Sequence, residues 1–373
     1  MSEPKIRQSY WELSSFNQKK ADFAIIGAGI NGLSTAFFLK KQYPKAIVRI
    51  YERGSNPSGA SVKNAGFACI GSVGELLADL QIQTADEVTA KVIARKEGLN
   101  LLRETLGDQN IEYNPCGGFE LFQLKEEEDL CVEAIPRLND IFKQTLVGKQ
   151  LYRKTTFNGK PSILNRQEGS VDSGKMMRQL VLNCINIGVD LQFNYPIKLE
   201  NQNWCHANDQ REVHAEQYII CTNAYTKELF TSQDNAAKGL IKPGRGYVLL
   251  TEELAELPWQ GTFHMQQGYV YFRNIGNKLL IGGFRHVDEK TEETLEIAIN
   301  EKIKKAVLDM MHEFLGIAKP VQIEQEWVGF MGFSASKKSI RQTIAPNSLL
   351  ASGMNGMGIA LGMKFGKETA HLY

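Results

Sequence analysis

Paired cysteines are missing from this sequence. The six cysteines, at 69, 116, 131, 184, 205 and 221, are widely spaced and form no C-x-x-C. Neither a disulfide framework nor a zinc knuckle is expected, and reduced, mostly buried thiols are. His206, His214, His264, His286, His312 and His371 are equally scattered, so a metal site has no support. An excess of either charge is also missing: 43 basic residues face 42 acidic ones, for a net charge of +1. Such a balance makes no field that would gather nucleic acid or an anionic membrane. Long apolar runs are absent too. The stretch Phe23–Leu39 is interrupted by Gly27, Gly29, Asn31 and Gly32 and reads as a strand running into a helix, not a membrane span. Residues 1–20 carry no apolar core and no small-residue cleavage pattern of a leader. Together these absences lead us to expect a soluble, cytoplasmic protein.

What is present begins with size. At 373 residues the chain exceeds what one hydrophobic core serves, so two domains are the default. Ala21–Ile26 reads as a strand, Asn31–Gln42 as a helix and Ile47–Glu52 as a second strand, which makes a βαβ unit and an α/β class. Residues 74–107 and 126–146 have helical patterns. A helix follows Asp172 or Ser173, either of which can cap it. Tyr247–Thr251, Tyr269–Phe272 and Lys278–Gly282 are closely spaced strand candidates, the punctuation of an antiparallel sheet. A charged helix is expected over Glu292–Leu315, then a final strand, Leu349–Ala351, a glycine turn and a terminal helix.

Gly27-Ala28-Gly29-Ile30-Asn31-Gly32 fits G-x-G-x-x-G. Its glycines permit the tight turn, close approach of a pyrophosphate and close helix packing, while the helix N-terminus offers free N–H groups. Glu52 follows 20 residues after Gly32, placed to accept from both ribose hydroxyls of an adenosine. That carboxylate disfavours NADP, although Arg53 keeps it open; FAD and NAD are not separated by this unit. Three further segments favour FAD. Ser58–Gly66 (SGASVKNAG) is a run of small and hydroxylated residues that lets backbone meet a flat ligand. Ile219–Tyr225 (IICTNAY) ends a strand in small polar residues, where ligands sit. Ser352–Ile359 (SGMNGMGI) is a second strand-to-helix glycine turn, whose N–H groups suit negative charge.

In this order and spacing the four segments resemble the FAD-dependent D-amino-acid oxidase superfamily, particularly its glycine/sarcosine oxidase-like branch. Pro243-Gly244-Arg245-Gly246 resembles that family's turn into its substrate sheet. Ser9-Tyr10-Trp11-Glu12 is similar to the N-terminal tail of amine oxidases related to γ-glutamylputrescine oxidase. The resemblance implies a Rossmann-like FAD-binding domain with an interleaved antiparallel β-rich substrate domain. The expected division is 20–85, 150–230 and 325–373 for the former, 86–149 and 231–324 for the latter. It implies that Gly27, Gly29, Ile30, Asn31, Gly32, Glu52 and Arg53 hold the ADP portion. Ala60, Ser61, Asn64, Ala65 and Gly66 would line the ribityl chain and ring, Ile197 the adenine, and Thr222 and Asn223 the pyrophosphate. Gly353, Asn355, Gly356, Met357, Gly358 and Ile359 would flank the flavin's pyrimidine side. Covalent-flavin members place a cysteine before this last turn; Phe330–Lys338 has none, which implies non-covalent FAD. The position that is lysine in sarcosine-oxidising members is Ala360.

The implied reaction removes a hydride from the carbon beside an amine nitrogen of a small amino acid or secondary amine, giving an imine that hydrolyses. Oxygen or another acceptor would reoxidise the flavin. A substrate carboxylate needs a cation, for which Arg285, Arg341 and Arg273 are candidates. Tyr269 and Tyr271 share one strand face and are candidate pocket walls. Alternatives on the same fold are a 2-hydroxy acid or polyol phosphate oxidase or dehydrogenase, and a non-catalytic flavin-binding subunit.

Overall fold

The computed structural model describes residues 9–11, 20–143, 145, 150–230, 236–257 and 259–373. Residues 1–8 and 12–19, which include Glu12, and Leu146 lie outside the described residues. Among the described residues no helix is long and apolar enough to cross a membrane.

Two sheets organise the chain. The first runs in the order 340–345, 348–352, 215–220, 21–26, 48–51, 190–192. Its strands are parallel except for Ile340–Ala345, which returns antiparallel along Ser348–Ser352. The helix Ile30–Gln42 lies against this sheet, burying Ile30, Leu33, Ala36, Phe37 and Leu39. Fully burying one such side chain stabilises by roughly 1.5–3 kcal/mol. The C-terminal helix Gly358–Ala370 packs on the same helix through glycines. A Cβ on Gly362 would lie 2.8 Å from Ile30 Cγ2, and one on Gly366 2.5 Å from Ser34 Cβ. Any side chain there would push the two helices apart.

The second sheet has eight strands, ordered 323–333, 242–251, 278–283, 270–275, 262–265, 118–121, 160–165, 152–157. All neighbours are antiparallel except Thr262–Met265 beside Gly118–Leu121. One face carries a core of Tyr247, Leu249, Phe263, Phe272, Ile281, Val328 and Phe330 under the helix Glu301–Asp309. The other face, with Val248, Leu280, Tyr271 and Trp327, packs against Ala65 and Phe67 of the small-residue segment. The two sheets therefore meet across residues 64–67.

The sheets are interleaved along the chain, and their membership differs from the expected division in three places. The strands 152–157, 160–165 and 323–333 hydrogen-bond into the eight-stranded sheet, and the helix Ala85–Leu106 packs on the C-terminal helix. For that helix the cause is Gly98, whose missing side chain lets it meet the backbone of Ala360. The helical pattern of 74–107 divides into Val73–Leu80 and Ala85–Leu106 because Thr84 and Glu87 form a capping box that starts a new helix. The charged helix expected over 292–315 begins only at Glu301. Glu292 is instead drawn inward to Arg245, whose Nη2 and Nε donate to its two oxygens at 2.7 and 2.8 Å, and Asn300 caps the helix at Lys302 N–H. Asp172 does cap Ser173–Asn186, accepting from Lys175 N–H.

Candidate functional site

The first glycine turn has the shape its sequence implies. Gly27 sits at φ +101°, and a Cβ on Gly32 would lie 2.0 Å from Gly27 O. Both positions exclude side chains, which lets a phosphate approach the helix N-terminus closely. Gly29 precedes it, and Ile30 N–H donates to Ser61 Oγ at 3.0 Å. Glu52 ends the second strand with its carboxylate turned over the turn: Ala28 N–H donates to Oε2 (2.9 Å) and Gly54 N–H to Oε1 (3.0 Å). Each oxygen keeps a further lone pair for a ribose hydroxyl. Tyr195 N–H bonds Glu52 O, which brings the segment leading to Ile197 alongside. Arg53 lies over the Tyr225 ring at 3.6 Å and pairs with Glu228. Asn31 donates to Ala351 O (2.5 Å), while its buried Oδ1 has no partner among the described residues.

The small-residue segment is held by Asn64, which donates to Ala60 O and Ser61 O and accepts from Gly66 N–H and Ser173 Oγ–H. Gly66, at φ +73°, passes so close to Val171 O that a Cβ would lie 2.4 Å away. The two ends of the chain then meet. Asn223 Oδ1 accepts from Gly353 N–H, and Asn355 donates to Gly353 O and accepts from Ser334 N–H. This closes the turn that carries Gly356 and Met357 into the helix starting at Gly358. Thr222 is fixed by Thr226 Oγ1. Gly358 sits above Ile30, and Ile359 and Ala360 are buried beside it. The glycine cradle, the carboxylate of Glu52, the unpartnered Asn31 oxygen and the bare start of the last helix fit a flavin dinucleotide laid across both turns.

The face of the large sheet turned toward residues 64–67 carries a row fixed by strand register: Trp327, Val248, Gly282, Tyr271, His264, Glu120. Tyr271 lies over Gly282 and touches Phe67, and burial pushes its phenol up to about 12. Two residues along its strand, Arg273 spends Nη1 on the carbonyls of Ala65, Gly66 and Val171. It has no carboxylate partner among the described residues, and burial holds the guanidinium below its ordinary pKa. Tyr269 stands at the rim against His286. Arg285 reaches the same face, lying over the Phe333 ring at 4.6 Å and pairing with Glu289. Arg341 is not brought to the site. It stacks on Phe365 and donates to Thr369, Phe365 O and Glu368, so the C-terminal helix consumes it.

Sequence reasoning missed the buried cluster next to Tyr271. His264 Nε2 lies 3.3 Å from Glu168 Oε2, and Phe67 packs on its ring. Glu168 accepts from Ile70 N–H, Gly71 N–H and Asn165; Glu120 accepts from Val73 N–H and Gly74 N–H. The two carboxylates thus clamp the backbone that continues from the small-residue segment. Burial opposes every charge here. For Glu168 the charge of His264 and the backbone donors outweigh it, so its pKa falls, and for His264 the Glu168 carboxylate outweighs it, so its pKa rises. For Glu120 burial wins and lifts the carboxyl to about 7. The available signal was a charged Glu120 inside the apolar run Phe119–Leu124.

Comparison with known proteins decides the family. The family described as FAD-dependent oxidoreductase, DAO, matches residues 22–372. The chain belongs to this family. The chain is also similar to named proteins at low identity. The probable oxidoreductase OrdL of Haemophilus influenzae is 23% identical over 361 residues, covering 91% of this chain and 80% of that protein. L-proline dehydrogenase from P. horikoshii superposes with a TM-score of 0.73 at 16% identity, over 95% of this chain and 93% of that one. Glycine oxidase from Geobacillus kaustophilus gives 0.70 at 18%, over 94% and 93%. As a DAO-family protein the chain is an FAD-dependent enzyme built on a Rossmann-like domain and a β-rich domain.

Proposed function

We propose that this enzyme oxidises the carbon–nitrogen bond of a small amino acid or secondary amine. The observation that carries this reading is Arg273: a desolvated guanidinium that makes no ion pair with a carboxylate among the described residues, on the same sheet face as Tyr271, against Ala65 and Gly66. A buried cation lacking an anion is unfavourable alone and is relieved by a carboxylate. Nη2 is the donor that the three carbonyls leave for it, and Tyr271 Oη–H is the neutral donor beside it. The names of the proline dehydrogenase and glycine oxidase neighbours agree with an amino-acid substrate.

Bound FAD supplies the two-electron acceptor. The substrate, its nitrogen unprotonated, would give up a hydride from the adjacent carbon and become an iminium, which water would hydrolyse to a carbonyl compound and an ammonium ion. Arg273 and Tyr271 orient the substrate, and the Phe67 and Trp327 rings exclude water around it. No side chain has to remove a proton from carbon. The cofactor is held without a covalent bond, by the two glycine turns, Glu52 and the segment 60–66.

The test is anaerobic reduction of the FAD-loaded protein, followed at the flavin band near about 450 nm. A panel should hold α-amino acids, N-methyl and cyclic amino acids, 2-hydroxy acids and a polyol phosphate. Bleaching by an amine-bearing member is expected; bleaching by hydroxy acids or the phosphate alone would overturn the reading. Arg273→Gln should raise KM by about 10- to 100-fold, the loss of one charge-assisted pair.

A further inference from the structure

The strand Lys278–Gly283 ends in an irregularity that changes which way its side chains face. Gly283 has φ +111°, and a Cβ there would lie 2.0 Å from Tyr269 O. Phe284 follows at φ +59°, an unfavourable conformation for a bulky residue, and is held there by burial in the core beneath the sheet. Up to this point the alternation is regular: Leu279 and Ile281 face that core, and Leu280 and Gly282 face the cofactor segment. Without the kink Phe284 would join Leu280 and Gly282, and Arg285 would point into the core. With it the two exchange places.

The placement of Arg285 follows from its contacts. Its Cδ is 3.6 Å from where a Cβ of Gly244 would be, and its guanidinium covers Phe333. Phe333 shares a strand face with Trp327, Gly329 and Met331, and Met331 Sδ is 3.7 Å from the Cβ position of Gly356 in the terminal turn. Arg285 therefore stands at the terminal-turn end of the face, and Arg273 at the Ala65–Gly66 end. Arg273 pairs in register with Leu280. Arg285 is five steps along the chain from Leu280, at most about 16 Å of backbone, a gap that two long side chains converging from its ends can shorten.

The partners of the half-buried Arg285 differ from those of the buried Arg245 and Arg95. Arg245 is locked bidentate on the buried Glu292, and Arg95 is held by Glu75 and Ile70 O. Among the described residues the ion pair of Arg285 is with Glu289 at 2.9 Å, and the Glu289 side chain is 61% exposed. Such a pair is weak and exchangeable. Stacking on a ring leaves the edge of the guanidinium free to take a carboxylate in two parallel hydrogen bonds. The neighbouring His286 is pushed toward its neutral form by burial and by Arg285 itself, so Arg285 carries the positive charge at this end of the face.

We propose that Arg285 is a second anion anchor, and that the physiological substrate is an amine carrying a second carboxylate distant from the one held by Arg273. This rests on the amine-oxidising reading above and narrows it. The test uses FAD-loaded full-length protein and pairs of amine substrates that differ only at the far end, carboxylate in one and carboxamide in the other. Wild type should favour the carboxylate by about 10- to 100-fold in kcat/KM. Arg285→Gln should bring that ratio to near one, Arg285→Lys should restore part of it, and Glu289→Gln, which removes the competing anion, should increase it. A wild-type ratio near one, or an Arg285→Gln variant that keeps the wild-type ratio, overturns the proposal. If neither member of any pair reduces wild type, the amine reading itself fails. In that case perturbation of the oxidised flavin spectrum by the dicarboxylate, and its loss in Arg285→Gln, still tests Arg285. No perturbation, or one that survives the substitution, overturns it.

Discussion

Glu120→Gln isolates the consequence of burying a carboxyl beside the pocket. In the folded protein burial lifts Glu120 from 4.5 to about 7 although Val73 and Gly74 N–H donate to it. The folded state therefore binds a proton that the unfolded chain releases at lower pH. Stability is fullest below the unfolded value and falls as pH rises toward 7. Moving the carboxyl this far corresponds to about 3 kcal/mol. For a chain of 373 residues, with an unfolding entropy of roughly 2.1 cal/mol/K per residue, that is a Tm change of about 4 °C. His264, also raised, loses its stabilising charge in the same direction as pH rises. Glutamine cannot titrate, and its one carbonyl oxygen serves only one of the two N–H groups, which costs about 1–3 kcal/mol at every pH. The variant should melt below wild type at pH 5 and close the gap by pH 8, with a slope shallower by about 4 °C. Far-UV circular dichroism melts in saturating FAD measure this directly. Parallel wild-type and variant curves between pH 5 and 8 would refute a titrating Glu120.

Other substitutions probe the two ends of the cofactor site. Gly32→Ala places a methyl 2.0 Å from Gly27 O and should abolish flavin retention after gel filtration, seen as a colourless protein. Glu52→Ala should weaken FAD by about 10- to 100-fold through lost charge-assisted hydrogen bonds, measured by fluorescence quenching; unchanged affinity would remove Glu52 from the ribose. Gly98→Ala meets Ala360 O at 2.0 Å and should lower both Tm and FAD affinity, because it displaces the helix that starts at the terminal turn. Arg341→Gln should lower Tm slightly and leave substrate KM unchanged, and a KM effect above threefold would contradict its assignment to the C-terminal helix.

The parts of this protein that were legible in sequence are those whose causes are local. Gly27–Gly32, the strand before it and Glu52 lie within about thirty residues, and Asp172 caps the helix it precedes. The terminal Gly353–Ile359 turn was legible for the same reason. What escaped depends on partners far along the chain. Arg245 and Glu292 are 47 residues apart, and their pairing unwinds the first third of an expected helix. His264 and Glu168 meet through strand register, which composition does not reveal. A left-handed Phe284 has no sequence signature at all, so the direction of Arg285 had to be seen. Arg341 looked no different from Arg273 until their surroundings were known.

The glycines of the last helix have a consequence for the order of events in the cell. Ile30 and Ser34 belong to the first tenth of the chain, yet the surfaces that cover them are Gly358, Gly362 and Gly366. During synthesis the opening βαβ unit leaves the ribosome with that flank uncovered, and it stays so while more than three hundred residues are added. Stable uptake of the flavin therefore has to wait until the helix Gly358–Ala370 has been made and has docked on Ile30 and Ser34.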